Sequence, residues 1–209
     1  RCSRADFVPT PTQGEAGVAR YVVPLPPWSR VDLSLSIRAG VGQGLPPPDF
    51  TFAEAVTRRR LVTERFDAQA ARVQTDHRPF SAWLEQAGRD LHLLLTETPA
   101  GPVPYAGIPW YVAPFGRDSL ISALQVLPFH PEIARGALRF LARHQGTVDD
   151  VFTDQLPGKI LHELRQGEMA ACREIPFIPY YGSVDATPLF VILLSEYARW
   201  TGDLDFARE

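Results

Sequence analysis

Lysine is almost missing from this chain: Lys159 stands alone among 21 basic residues, and the rest are arginines. That bias fits a GC-rich genome and carries no function by itself. Cysteine is scarce as well. Cys2 and Cys172 lack metal-ligand or redox spacing, so a reduced, cytoplasmic protein is the expectation. No apolar run reaches membrane-spanning length, since 189–194 is short and soon meets Glu196; no membrane contact is expected. There is no basic excess to hold nucleic acid, the net charge being -3. A signal-peptide pattern, a Gly-x-Ser-x-Gly elbow and a phosphate-binding loop are likewise lacking. Position 1 is Arg rather than Met, and 203–209 looks like the start of another element, so the chain is expected to be a piece of a longer protein.

What is present is an ordinary globular composition, 45% hydrophobic over 209 residues, enough for one sizeable domain and part of another. Near the start, Val31, Leu33, Leu35 and Ile37 alternate with Asp32, Ser34, Ser36 and Arg38, which predicts a half-buried strand. Tyr21, Val22 and Val23 also favour β structure. Three glycines and three prolines in the nine positions 40–48 read as a linker. The expected domains are therefore 1–45, the end of a β-rich N-terminal domain with its linker, and 46–209, a helical domain.

Within 46–209 the apolar spacing predicts helices over 52–64, capped by Asp49 or Thr51, over 80–96 after Pro79, over 118–127, over 131–145, and over 184–200. Ile133, Ala137, Leu138 and Leu141 are expected to face inward. No strand pattern is evident beyond about position 50, and 98–104 reads as a loop. The segment 149–179 lacks periodicity and is too long for an ordinary connection. Paired helices joined by alternating short and long loops result, with the long loops gathered at one end.

Three loop segments, each preceding a helix, hold the unusual residues. In 106–120, Trp110, Tyr111 and Phe115 are too aromatic for a plain surface loop, and Arg117-Asp118 stands where a helix begins. That pair reads either as a donor and acceptor for sugar hydroxyls or as an ion pair with a helix cap. In 157–168, Lys159, His162, Glu163, Arg165 and Glu168 place five ionisable groups in ten positions. His162-Glu163 lacks the second histidine of a zinc motif, so no metal is expected, and a solvated charged loop is the alternative. In 180–190, Asp185 sits at a helix mouth beside Tyr180 and Tyr181. It is either an N-cap or a carboxylate in a site that grips a sugar ring.

The stretches AGIPWYVAPFGRDSLI, PGKILHELRQGE and YYGSVDATPLFVILLSEYARWTGD together resemble the bacterial glycogen debranching enzyme (amylo-α-1,6-glucosidase) family. The resemblance covers about 50–209 and, weakly, the strand region before it. It implies a mainly α fold, the first half of an (α/α)6 toroid shared with glucoamylases, after the end of a β-rich domain. It implies an inverting glycoside hydrolase that cleaves α-1,6-glucosidic branch bonds of glycogen-like glucans without a cofactor. Asp185 matches the general acid, and Arg117 and Asp118 match the pair that holds the outer hydroxyls of the glucose. Trp110 would help to wall that subsite, Glu163, Arg165 and Glu168 would line its approach, and Tyr181 is expected among the sugar-binding residues from its place beside Asp185. The general base, expected about 6.5–9.5 Å from the acid in an inverting enzyme, falls in the later half of the toroid and so outside these residues. The isolated chain is therefore expected to be inactive and to self-associate through exposed helix faces. Trehalase-like or glucosylglycerate-type hydrolysis on the same toroid, a non-catalytic carbohydrate-binding module, and a helical scaffold with an aromatic protein interface are the competing readings.

Overall fold

The structure, a computed structural model, describes residues 2–15, 17–40 and 51–208. It divides into two units, Arg1–Arg65 and Phe66–Glu209. The expected linker at 40–48 and the expected boundary between 45 and 46 lie almost wholly outside the described residues.

In the first unit, β1 (Cys2–Val8) pairs antiparallel with β4 (Ser34–Gly40), in the register Val8 opposite Ser34. Two short strands between them, β2 (Gln13–Glu15) and β3 (Val18–Arg20), form a second antiparallel pair. Asp6 on β1 takes an ion pair from Arg38 on β4, which ties the ribbon across its width. The expected strand exists, shifted towards the linker, but it is not half-buried: Leu33, Leu35 and Ile37 are all exposed. Alternation reports which face could be covered. Among the described residues of this unit no second layer covers it, and a two-stranded ribbon cannot bury a face alone. Tyr21, Val22 and Val23 lie just outside β3 rather than in a strand.

Helix α1 (Phe52–Gln69) starts at a reciprocal cap. The Thr51 amide donates to the Glu54 carboxylate at 2.7 Å, and the Glu54 amide donates to Thr51 Oγ1 at 3.4 Å. It runs five residues beyond the expected end. Helix α2 (Arg78–Leu94) has Pro79 in its first turn and His77 as its cap, with the Phe80 amide donating to His77 Nδ1 at 3.1 Å.

The sequence pattern missed an antiparallel hairpin in the second unit. Strands β5 (Leu95–Thr98) and β6 (Gly101–Pro104) pair directly after α2, where the end of a helix and a loop were expected. Pro102 and Pro104 argue against a strand on sequence grounds; they are tolerated because β6 is an edge strand. Helix α4 (Pro131–Arg143) packs against this hairpin, and Gly136 permits the approach, since a Cβ there would overlap the Pro102 carbonyl oxygen.

The core lies between α4, α3 (Gly116–Val126) and α6 (Ala186–Thr201). As expected, α4 turns Ile133, Ala137, Leu138 and Leu141 inward, with Ala134 beside them. Each buried Ile or Leu contributes about 1.5–3 kcal/mol. Leu120 and Ala123 of α3 and Leu193 and Tyr197 of α6 meet them. Ser119, buried on α3, donates its hydroxyl to the Pro104 carbonyl at 2.7 Å and fastens α3 to β6. Between α4 and α6 the long segment is irregular as expected, apart from one helical turn, α5 (Glu168–Ala171). Gly202, at φ 74°, stops α6 in the left-handed conformation that glycine accepts, and α7 (Leu204–Arg208) follows.

Helices dominate the described residues, and the strands are small antiparallel pairs. Among the described residues no helix is long and apolar enough to cross a membrane.

Candidate functional site

Helices α3 and α6 run side by side in the same direction. Their first turns meet where Arg117 faces Asp185, and their last turns share a groove of about 440 Å³ lined by Leu124, Leu127, Pro128, Glu196, Arg199 and Trp200. At 1.5 Å per residue, Arg117 lies about 10 Å along the axis from Leu124. The groove is therefore remote from Asp185, which lies with Arg117 at the two N-terminal ends.

The three unusual loop segments are hydrogen-bonded into one ladder at that end. The Gly116 amide donates to the His162 carbonyl at 2.9 Å, and the Leu164 amide to the Pro114 carbonyl at 3.2 Å. On the other side, the Tyr180 amide donates to the Glu163 carbonyl at 2.9 Å, the His162 amide to the Tyr180 carbonyl at 2.8 Å, and the Arg165 amide to the Phe177 carbonyl at 2.7 Å. The middle segment thus lies between the outer two. Gly116 allows the close join, because a Cβ there would overlap the Leu161 carbonyl oxygen and press on Ala186. Thr187 adds a tie from α6, its Oγ1 accepting from the Ile160 amide at 3.0 Å.

This ladder brings Arg117 and Asp185 together across 68 residues of sequence, with Arg117 Nη1 donating to Asp185 Oδ2 at 3.3 Å. Arg117 is half exposed, and Asp185 is 38% exposed. Asp118 follows in the first turn of α3, its Oδ2 4.0 Å from Arg117 Nε, too long to be a strong pair.

Asp185 occupies the N-cap position of α6, yet its side chain caps nothing. Its backbone is already helical, at φ -95° and ψ -27°, which aims the carboxylate away from the helix amides. Ser183 does the capping instead: its Oγ accepts from the Ala186 amide at 3.3 Å and donates its proton to Asp185 Oδ1. The plain capping reading of Asp185 is thereby overturned, and the carboxylate is left facing Arg117 and solvent. The Ser183 hydroxyl, and after it the Arg117 guanidinium, hold the Asp185 carboxyl below the usual aspartate range, against the upward effect of partial burial. Ser183 was not singled out from sequence. The signal was its place three residues before Ala186, the spacing of a serine cap.

A second cluster joins the other expected residues. Glu163 is buried at 5% exposure, and its carboxylate is ion-paired with Arg165. Glu163 therefore does not line an approach from solvent; it supports Arg165. The Arg165 guanidinium lies 5.8 Å from the centre of the Phe115 ring and donates from Nη1 to the Trp110 carbonyl at 3.4 Å. Trp110 sits in the turn of a small hairpin closed by reciprocal bonds between Gly107 and Tyr111, at 3.0 and 3.1 Å, and the residue is 79% exposed. Edge-to-face contacts run from Tyr111 to Phe115, on to His162 and then Tyr180, at 6.0, 5.8 and 5.8 Å.

Tyr181 is a correction. Expected at a sugar-gripping wall, it is a core residue, 2% exposed, with its hydroxyl donating to the His144 carbonyl at 2.7 Å. Its neighbour Tyr180 takes the ladder position, bridged to Glu163, and its ring meets His162 edge-on. Burial pushes the Tyr181 phenol upward. Glu168 is exposed at the start of the single turn α5. Among the described residues, no group of three or more His, Cys, Asp or Glu is placed to hold a metal ion.

No known family model matches the chain, and no curated protein shows significant similarity to it.

Proposed function

We propose that this chain carries the sugar-holding side and the general acid of an inverting glycoside hydrolase of the debranching type, acting on α-1,6-glucosidic branch bonds. The observation that carries the reading is the convergence of Arg117 and Asp185 at the mouths of two parallel helices. A guanidinium presents several fixed donors and an ionised carboxylate only acceptors, so together they satisfy neighbouring sugar hydroxyls, each of which donates and accepts. An exposed indole on the adjoining ladder adds a flat apolar face of the kind that sugar rings stack on. The mutual packing of α3, α4 and α6 is compatible with the helical hairpins of a toroid.

Proton donation needs Asp185 protonated when the glycosidic oxygen arrives. In the free chain it is held ionised by Ser183 and Arg117. A bound sugar raises the carboxyl by displacing water from its exposed side and by drawing Arg117 N–H groups to the sugar hydroxyls. That is where a general acid's pKa has to be set, in the complex rather than in the free protein.

The ionised state of Asp185 also favours a second reading, in which the site binds carbohydrate and performs no chemistry. Glucose release from a branched limit dextrin, together with titration of a branched oligosaccharide, separates the two when measured on the full-length parent that also supplies the general base, native and with Asp185→Asn. Release that falls by about a thousandfold or more while binding persists supports the acid role. Binding without release in the native protein favours the module. Absence of both removes carbohydrate from this site.

A further inference from the structure

The Glu163–Arg165 pair has no direct part in the chemistry just described, yet it is the most buried ion pair at the site, with Arg165 one-third and Glu163 7% exposed at their side chains. A buried carboxylate is costly unless paired and hydrogen-bonded, so a pair of this kind holds something in place or weakens the fold. What it holds is specific. From its anchor on Glu163, the guanidinium of Arg165 spans the Phe115 ring and reaches the carbonyl of Trp110. Trp110 in turn shows its indole to solvent from the turn of a hairpin only five residues long, closed at Gly107 and Tyr111.

We propose that Glu163 and Arg165 are positioning residues: a strut that fixes the Trp110 turn so that its indole serves as a stacking platform for a sugar ring. The inference rests on the sugar-site reading above and deepens it by assigning a ring-stacking contact that depends on residues which never touch the ligand. Arg165 acts through its bond to a main-chain carbonyl, so it sets where the turn lies. Glu163 acts through Arg165, whose guanidinium it holds beside the Phe115 ring. A lysine at 165 carries the charge but cannot bond Glu163 and the Trp110 carbonyl from one planar group.

The chain has four tryptophans, Trp28, Trp83, Trp110 and Trp200, so fluorotryptophan labelling gives a small fluorine spectrum in which Trp110→Phe assigns the platform. The expected result is that Arg165→Met and the near-isosteric Glu163→Gln shift or broaden the Trp110 signal alone in the ligand-free protein, and that Arg165→Lys does so partly. Affinity for a branched maltooligosaccharide is expected to fall about tenfold in Arg165→Met and by a similar factor in Trp110→Ala, with no further loss when the two are combined. An unmoved Trp110 signal in both strut variants overturns the proposal. Shifts spread over all four indoles in both variants also overturn it, because the pair would then support the fold at large. A Trp110 signal that moves without loss of affinity refutes the platform. If the native protein binds no sugar, the reading of the site fails and the platform with it, while the fluorine spectra still decide the strut.

Discussion

Arg117 and Asp185 lie in the first turns of two different helices, 68 residues apart in sequence, with a nitrogen of one 3.3 Å from an oxygen of the other. Neither needs the other for its helix: α3 is capped by no side chain, and α6 is capped by Ser183. A pair that serves neither helix end and faces solvent is available to a ligand.

Because the pair is partly exposed to solvent on both sides, its pairing contributes little to stability, typically about 0–1 kcal/mol. Arg117→Ala and Asp185→Asn are therefore expected to unfold within a few degrees of the native chain, while sugar affinity falls about tenfold or more in Arg117→Ala. Thermal denaturation beside calorimetric titration checks this. A large drop in melting temperature would show that the pair is structural.

The state of Asp185 gives a pH prediction. Its folded pKa is depressed, so it contributes stability above its unfolded value of about 3.9, and that contribution is lost as pH falls through the folded value. In Ser183→Ala the largest cause of the depression is removed. The Asp185 carboxyl is then expected to titrate closer to the ordinary value, and its share of the acid sensitivity shrinks. Carbon-detected titration of the carboxyl measures this directly; a curve identical to the native one would mean that Ser183 does not hold the group.

Gly116 and Gly136 carry no chemistry, yet the fold depends on both. At Gly116 a Cβ meets the Leu161 carbonyl within the ladder, and at Gly136 it meets the Pro102 carbonyl of β6. Backbone cannot step aside as a side-chain tip can, so Gly116→Ala and Gly136→Ala are each expected to destabilise the fold by about 1–3 kcal/mol. Gly116→Ala is expected to weaken sugar binding as well, because it separates the segments that bear Arg117 and Glu163. Denaturant midpoints and binding isotherms for the two variants give the comparison, and equal effects on binding would refute the local role of Gly116.

Tyr181→Phe keeps the ring and removes the hydroxyl bonded to the His144 carbonyl. The expected loss is about 1 kcal/mol of stability with sugar affinity unchanged. Weaker affinity at unchanged stability would return Tyr181 to the ligand site.

Much of the helical unit was legible in the chain. The apolar spacing of Ile133, Ala137, Leu138 and Leu141 is a local property of a 3.6-residue repeat, and Pro79, Pro131 and Gly202 are local stops and starts. The unusual composition of three loops was legible too, since aromatic and charged residues outside any periodic run need another reason to be there. Sequence could not show whether Leu35 and Ile37 are covered, because that depends on a second layer. Nor could it show the β5–β6 hairpin, whose prolines are acceptable only on an edge.

Within the site, the sequence by itself determined that Arg117 and Asp185 stand at helix starts and that Trp110 lies in an aromatic loop. Only the tertiary structure decided which of these residues face solvent and which are buried. The ladder through His162 and Glu163 brings the first and third segments together, a matter of pairing between distant backbones that no local pattern encodes. The same ladder sends Tyr181 into the core and draws Glu163 out of solvent, because a residue's side of a strand is set by its partner's register. The helical backbone at Asp185 leaves a residue in a capping position with its carboxylate bonded to Ser183 and Arg117 rather than to the helix amides.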